Sequence, residues 1–304
     1  MLKVSWYYIP ITILIFVVIF YFLVKLFITA QINVYIKKFE NNFEESIKNI
    51  CSLDLPLNPL DNITKIQNLQ VFDKANGYAF LTLNLAVSLW SGCQKILPDI
   101  KNFILLETFK GFDSSANEYR DICALYFSNN LNMIIVSFSG TMYLSQFKDD
   151  LDFTQINPTS LTDNKDIFVH KYHYIMYDSL REKLLQIINN NLNKDTLIVI
   201  TGHSLGGSLA SLCFFDLVIN NVGEEKTLYS FGAPRTGNNE FVTIINNQQT
   251  AMRVANTEDI IVTLPLPITG KDIYTHYDNI IPFTLNLKSY GQNHINSYIQ
   301  FFQS

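Results

Sequence analysis

The sequence predicts an α/β protein, with a mostly parallel sheet covered by helices on both faces and one N-terminal transmembrane helix ahead of it. Three observations predict this. The run Thr196-Leu-Ile-Val-Ile-Thr-Gly-His-Ser-Leu-Gly-Gly-Ser-Leu-Ala-Ser-Leu-Cys213 passes from β-formers, through a glycine-flanked serine, into apolar residues at helical spacing. From about residue 70 onward, strand-like and helix-like segments alternate, the pattern of a parallel sheet with crossover helices. Finally, the chain opens on an apolar stretch of membrane-spanning length.

That stretch, Val4 to Val24, holds 21 residues bounded by Lys3 and Lys25 and carries no charged side chain, its hydroxyls being those of Ser5, Thr12 and the tyrosines. At about 1.5 Å per residue it spans about 31 Å, the thickness of a hydrocarbon core. A cleavable signal has a shorter apolar centre and a small-x-small cleavage site, for which Thr29-Ala30 is a poor match. The reading is a single-pass anchor over 1–30, the alternative being secretion after cleavage of this segment. Lys25, Lys37 and Lys38 on one side, against Lys3 and the α-amino group on the other, lean towards a cytoplasmic catalytic side.

Residues 31–70 form a juxtamembrane helix and linker. Ile36, Phe39, Phe43, Ile47 and Ile50 recur on one helical face, and Leu55-Pro-Leu-Asn-Pro-Leu60 breaks the pattern before the main domain at 71–304. Helices are expected over 78–90 and 172–188, before and after a hairpin turning at Asn129-Asn130. Strands are expected at 196–200, 227–231 and 252–256, with helices after Ser204 and near 239–247 and a hairpin-like region at 272–285.

A net charge of −5 with thinly spread Lys and Arg excludes a nucleic-acid partner. Cys51, Cys93, Cys123 and Cys213 lack any metal-ligand spacing, so no metal site is indicated, and Cys213 reads as a buried free thiol. The sequon Asn62-Ile-Thr64 does not by itself decide the compartment.

A serine hydroxyl becomes a nucleophile when a sharp strand-to-helix turn lifts it clear of the backbone beside a base and amide donors. Ser204, between Gly202 and Gly206, has that context, although a glycine-rich loop binding a phosphate is the alternative. In such sheets the acid and then the histidine follow the serine in sequence. Asp259 stands just after the strand Met252–Asn256, with Glu258 as the second choice of acid, whereas Asp216 lies too far down the helix from Ser204. An oxyanion hole needs the amide after the nucleophile, Leu205, and a second from an earlier strand-end loop, for which Gly140-Thr141 is suited.

Six stretches carry a resemblance: Phe138-Ser-Gly-Thr141, Val169-His170, Thr201-Gly-His-Ser-Leu-Gly-Gly-Ser-Leu-Ala210, Phe231-Gly-Ala-Pro-Arg-Thr-Gly-Asn238, Asn256-Thr-Glu-Asp259 leading to Leu264-Pro265, and Asn293-His-Ile-Asn-Ser-Tyr298. Together, and in this order, they resemble the class 3 lipases, the fungal-type triacylglycerol lipase family. The resemblance implies an α/β-hydrolase fold, ester hydrolysis on lipids and no cofactor. Ser139, where the family often has Arg, and Tyr172, where Gly commonly follows the Val-His pair, depart from it. It also implies a lid after the oxyanion loop, where Tyr143, Leu144 and Phe147 share a helical face.

Among the five histidines, His203 adjoins the nucleophile, and His170 and His173 precede it. His276 resembles a histidine the family carries without using it as the base, which leaves His294 as the base, oriented by Asp259. The expected protein is a membrane-anchored serine lipase acting on acylglycerols through an acyl-enzyme, its partners being a lipid ester and the bilayer. A phospholipase, carboxylesterase or thioesterase on the same scaffold is one alternative, and an inactive membrane lipid-binding protein is another.

Overall fold

The computed structural model describes residues 47–267 and 273–304. The expected span Val4–Val24 and the residues Ile36, Phe39 and Phe43 lie outside them, and no helix among the described residues is long and apolar enough to cross a membrane. By compactness the chain divides into 1–49 and a unit Ile50–Ser304, and the architecture below is that of the latter.

In chain order the elements are helix α1 (Lys74–Cys93), strands β1 (Ile104–Asp113), β2 (Glu118–Ser128) and β3 (Met133–Phe138), helix α2 (Leu144–Asp150), strands β4 (Gln155–Ile156) and β5 (Val169–His170) and helix α3 (Lys171–Asn191). They continue with strand β6 (Leu197–His203), helix α4 (Leu205–Ile219), strand β7 (Glu225–Phe231), helix α5 (Asn239–Asn246), strands β8 (Ala251–Asn256) and β9 (Ile280–Phe283) and helix α6 (Ser297–Gln303). A seven-stranded sheet has the order β1-β2-β3-β6-β7-β8-β9, antiparallel across its first three strands and parallel from β3 to β9.

Strands β3 and β6 are fully buried, and their side chains alternate between two apolar clusters. Ile134, Val136, Ile198 and Ile200 join the cluster packed under α3, α4 and α5, while Met133, Ile135, Leu197 and Val199 join the one packed under α1 and α6. This two-sided burial explains the unbroken apolar runs of β3 and β6. Leu60, Ile63 and Ile66, at and after the 3₁₀ turn Asn58–Asn62, are buried in the second cluster, so this stretch packs with the sheet.

The hairpin about Asn129-Asn130 is present as β2–β3. The hairpin-like region at 272–285 is not. There β9 pairs in parallel with β8, and Thr275 makes only an isolated bridge to Gly237. Tyr274 and Tyr277 are instead buried in the crossover connection that a parallel neighbour requires. The long edge strand β1 was not anticipated; its outer half is exposed and lacks a clean two-residue period.

Candidate active site

At the end of β6 the chain reverses into α4 through Ser204, whose φ of 59° and ψ of −129° lie in a region that side-chain-bearing residues rarely occupy. Such strain persists only where the surroundings over-determine it. Here they do so by contact. A Cβ on Gly202 would lie 2.0 Å from the Gly206 carbonyl oxygen, and one on Gly206 would lie 2.5 Å from that of Phe138. Both glycines are therefore required by close approach of strand, helix and neighbouring loop. The Ser204 amide donates to the Phe231 carbonyl at 2.9 Å, locking the turn to β7.

The acid and the histidine arrive from the far end of the sheet. Asp259 follows β8 and is buried, its Oδ1 accepting from the Ile261 amide at 3.0 Å. Its Oδ2 receives His294 Nδ1–H at 2.7 Å and the Tyr298 hydroxyl at 2.9 Å. The carboxylate fixes the proton on Nδ1, leaving His294 Nε2 as the acceptor nitrogen; it is buried and has no partner among the described residues. His294 sits within a π-helical turn, Gln292–Asn296, running directly into α6, so that it and Tyr298 reach one carboxylate oxygen. Asn256 secures this loop, its Nδ2 donating to the carbonyls of Leu285 and Asn293 and to the Ser297 hydroxyl. Glu258, the second choice of acid, instead accepts from Asn286 at the surface.

His203 joins the two halves. Its ring lies 4.6 Å from that of His294, and its Nε2 donates to the His294 backbone carbonyl at 2.7 Å. Burial, with the His294 imidazole beside it, pulls His203 down to about 3, so it is neutral and ties the histidine loop to the turn without competing for the proton. His276 donates to the Val262 carbonyl at 2.7 Å, and burial brings it too to about 3. Asp216 is occupied by Arg181, Tyr177 and Asn220 on the sheet's other face.

The loop after β3 lies against Ser204, for a Cβ on Gly140 would come 3.5 Å from that of Ser204. The Gly140 amide donates to Ser88 Oγ on α1, and the amides of Met142 and Tyr143 both donate to Gln146 Oε1. The Thr141 amide is thereby left as the uncommitted donor among the described contacts of this loop. The Leu205 amide, in the first turn of α4, has no intrahelical partner either. These are the two donors expected from the sequence. The Thr141 hydroxyl gives its single proton to Asp150 Oδ2 at 2.6 Å, so it braces the loop. Asp150 also accepts from His173 Nε2 at 3.0 Å, and burial raises its carboxyl to about 6. His173, stacked on His170 with ring centres 3.7 Å apart, is lowered to about 3 by burial.

Of the expected lid residues, Tyr143 precedes α2 and donates to the Ser91 carbonyl at 2.7 Å, with the Arg120 guanidinium 4.2 Å from its ring centre. Leu144 is half-buried and Phe147 is buried, so the segment packs against the body. Sequence reasoning assigned no role to Asp150, Ser88 or Tyr298. Only Tyr298 had a signal, its place at the end of the last motif.

A strained serine at a strand-to-helix turn, a buried carboxylate–imidazole pair and two free amides on a parallel sheet define the α/β-hydrolase architecture. Residues 135–268 match the family model Lipase (class 3). A rice phospholipase A1-II 5 (Oryza sativa subsp. indica) is 30% identical, the match covering 45% of this chain and 36% of that protein. The secreted mono- and diacylglycerol lipase A of Penicillium cyclopium is 28% identical, covering 47% of this chain and 45% of that one. The chain thus spans less than half the length of these curated relatives. Among solved structures, the mono- and diacylglycerol lipase of Aspergillus oryzae matches with a TM-score of 0.57 at 20% identity, over 72% of this chain and 82% of that one. The Rhizomucor miehei lipase propeptide complex matches at 0.54 and 22% identity, over 68% of each chain. At such identities these two likenesses establish the fold.

Proposed function

We propose that this protein is a serine ester hydrolase acting on acylglycerols at a membrane to which its N-terminal segment anchors it. The observation that carries the reading is the Asp259–His294 pair, joined at 2.7 Å and tied through His203 to the turn bearing Ser204. His294 Nε2 takes the Ser204 proton as the hydroxyl oxygen attacks the ester carbonyl. The amides of Leu205 and Thr141 stabilise the tetrahedral oxyanion, and Asp259 stabilises the imidazolium. Collapse gives an acyl-Ser204 and an alcohol that leaves with the proton from His294. Water, activated by the same imidazole, then releases the fatty acid.

A phospholipid ester is the second reading, favoured by the rice relative named as a phospholipase A1. An inactive lipid-binding protein is disfavoured, because a relic has no reason to retain the serine, acid, histidine and oxyanion loop together. For substrate access we propose that residues 143–147 act as a lid. Opening then breaks the Tyr143–Ser91 bond and exposes Phe147, a cost that a lipid surface offsets.

The test is full-length protein in detergent micelles offered p-nitrophenyl esters, acylglycerols and phospholipids, with Ser204→Ala as control. Acylglycerol turnover that is lost in the control supports the first reading, and phospholipid turnover alone supports the second. Absence of any turnover and of fluorophosphonate labelling sinks both. Smooth saturation through the substrate's solubility limit removes the lid.

A further inference from the structure

The start of the catalytic unit bears on the side of the membrane where it folds. Cys51 and Cys93 form a disulfide, closing a loop of 42 residues between the start of the unit and the last residue of α1. Cys123 and Cys213 are free and fully buried. A structural disulfide persists where the surroundings are oxidising, as in secretory compartments and outside the cell, and is rare in a reducing cytosol.

An independent feature points the same way. Asn62-Ile-Thr64 is the one Asn-x-Ser/Thr sequon without proline at x in the sequence. It lies within the loop that the disulfide closes, where the 3₁₀ turn ends and the backbone becomes extended. Ile63 is buried and anchors the stretch, while Asn62 and Thr64 are exposed on either side of it. The Asn62 amide donates only to the Asn58 carbonyl at 3.1 Å, a solvent-exposed bond whose loss costs little. A sugar on this nitrogen therefore meets no buried group.

We propose that Asn62 is an N-glycosylation site and that the unit Ile50–Ser304 matures on the oxidising face of a membrane. In the first step two cysteine thiols lose two protons and two electrons to a protein or small-molecule disulfide, which becomes two thiols. In the second, Asn62 Nδ2 displaces the lipid pyrophosphate from a lipid-linked oligosaccharide and gives up one proton. The lysine count leans to the opposite side, but only by three lysines against one lysine and the α-amino group. A disulfide and a surface sequon report on the folded domain itself, and both are independent of the ester-hydrolase reading.

The experiment is full-length protein in cultured eukaryotic cells, followed by electrophoresis of membranes with and without peptide N-glycosidase. A second arm tags thiols with a mass-bearing maleimide, after denaturation, before and after reduction. The expected result is one glycosidase-sensitive shift, abolished in both Asn62→Gln and Thr64→Ala, with Cys51 and Cys93 tagged only after reduction. A Tyr119→Thr variant supplies a control, creating a second sequon at exposed Asn117 in the β1–β2 turn. If that variant is glycosylated while Asn62→Gln migrates like the wild type, the assignment of Asn62 is overturned and the orientation stands. If neither site is modified and Cys51 and Cys93 are tagged without reduction, the orientation is overturned as well.

Discussion

The turn at Ser204 and the loop at Thr141 lie against one another, yet they are held by different means. Backbone packing holds the first, since side chains on Gly202 or Gly206 would collide with carbonyl oxygens. Polar side chains hold the second: Gln146 and Asp150 on the adjoining α2 and, from distant segments, Ser88 on α1 and, through Asp150, the buried His173 on α3. A steric constraint leaves its mark in the local sequence. A brace assembled from three helices leaves no local pattern, and it is also the part that single substitutions loosen by degrees rather than abolish.

The largest effect belongs to the reacting groups. Ser204→Ala and His294→Ala are each expected to lower kcat by about 10⁶-fold, because a triad fails as a unit. His276→Ala, which removes only a bond to the Val262 carbonyl, should reduce stability and leave kcat nearly intact. A reversed ranking of the two histidines, measured on folded protein, overturns the assignment of the base.

Breaking the disulfide tests the support behind the loop, since Cys93 ends the helix whose Ser88 and Ser91 hold the segment around Thr141. Cys51→Ser with Cys93→Ser should cost about 4 kcal/mol for a loop of this length, read from urea midpoints. An unchanged midpoint would mean that the closed loop gains nothing from the bridge.

Asp150 offers a test by pH. Burial raises its carboxyl from 3.8 to about 6, so the native state holds the proton more tightly than the unfolded chain does. Its contribution to stability is full below about pH 4, is lost as pH rises through 6, and does not return above that. Asp150→Asn has no such titration. The variant should therefore gain on the wild type between pH 4 and pH 7, by up to about 3 kcal/mol, as seen by comparing urea midpoints at the two values. A constant difference between the proteins would show that the carboxyl is not held in this way. Thr141→Val, which removes the other partner of this bond but keeps the Thr141 amide, should lower kcat by about tenfold, short of the cost of about 10²-fold for losing an oxyanion donor itself, with little change in KM.

The elbow, the order of strands and helices from β6 to β8, and the pairing of Asp259 with His294 were legible because each rests on a short motif or a local period. The parallel pairing of β9 was not, since nothing local distinguishes a crossover carrying buried Tyr274 and Tyr277 from one arm of a hairpin. Neither the Cys51–Cys93 pairing nor the Thr141–Asp150–His173 brace was legible, for both join residues whose separation only the fold brings to bonding distance.

The smallest effect on rate expected around the Asp259–His294 pair separates support of the acid from catalysis. Tyr298 gives its hydroxyl proton to Asp259 Oδ2 at 2.9 Å, and the Tyr298 hydroxyl oxygen accepts from the Asn256 amide at 3.1 Å. Burial pushes this phenol well above its usual range, so it remains a donor at every working pH. Tyr298→Phe keeps the ring packed against Phe283 but leaves the Asn256 amide without its acceptor, which should cost about 1–3 kcal/mol of stability. His294 keeps its own bond to Asp259, so kcat should fall by less than about tenfold, the equivalent of one ordinary hydrogen bond. If kcat instead drops as far as in His294→Ala while the urea midpoint is unchanged, Tyr298 belongs to the reacting constellation, and the acid is oriented chiefly through α6.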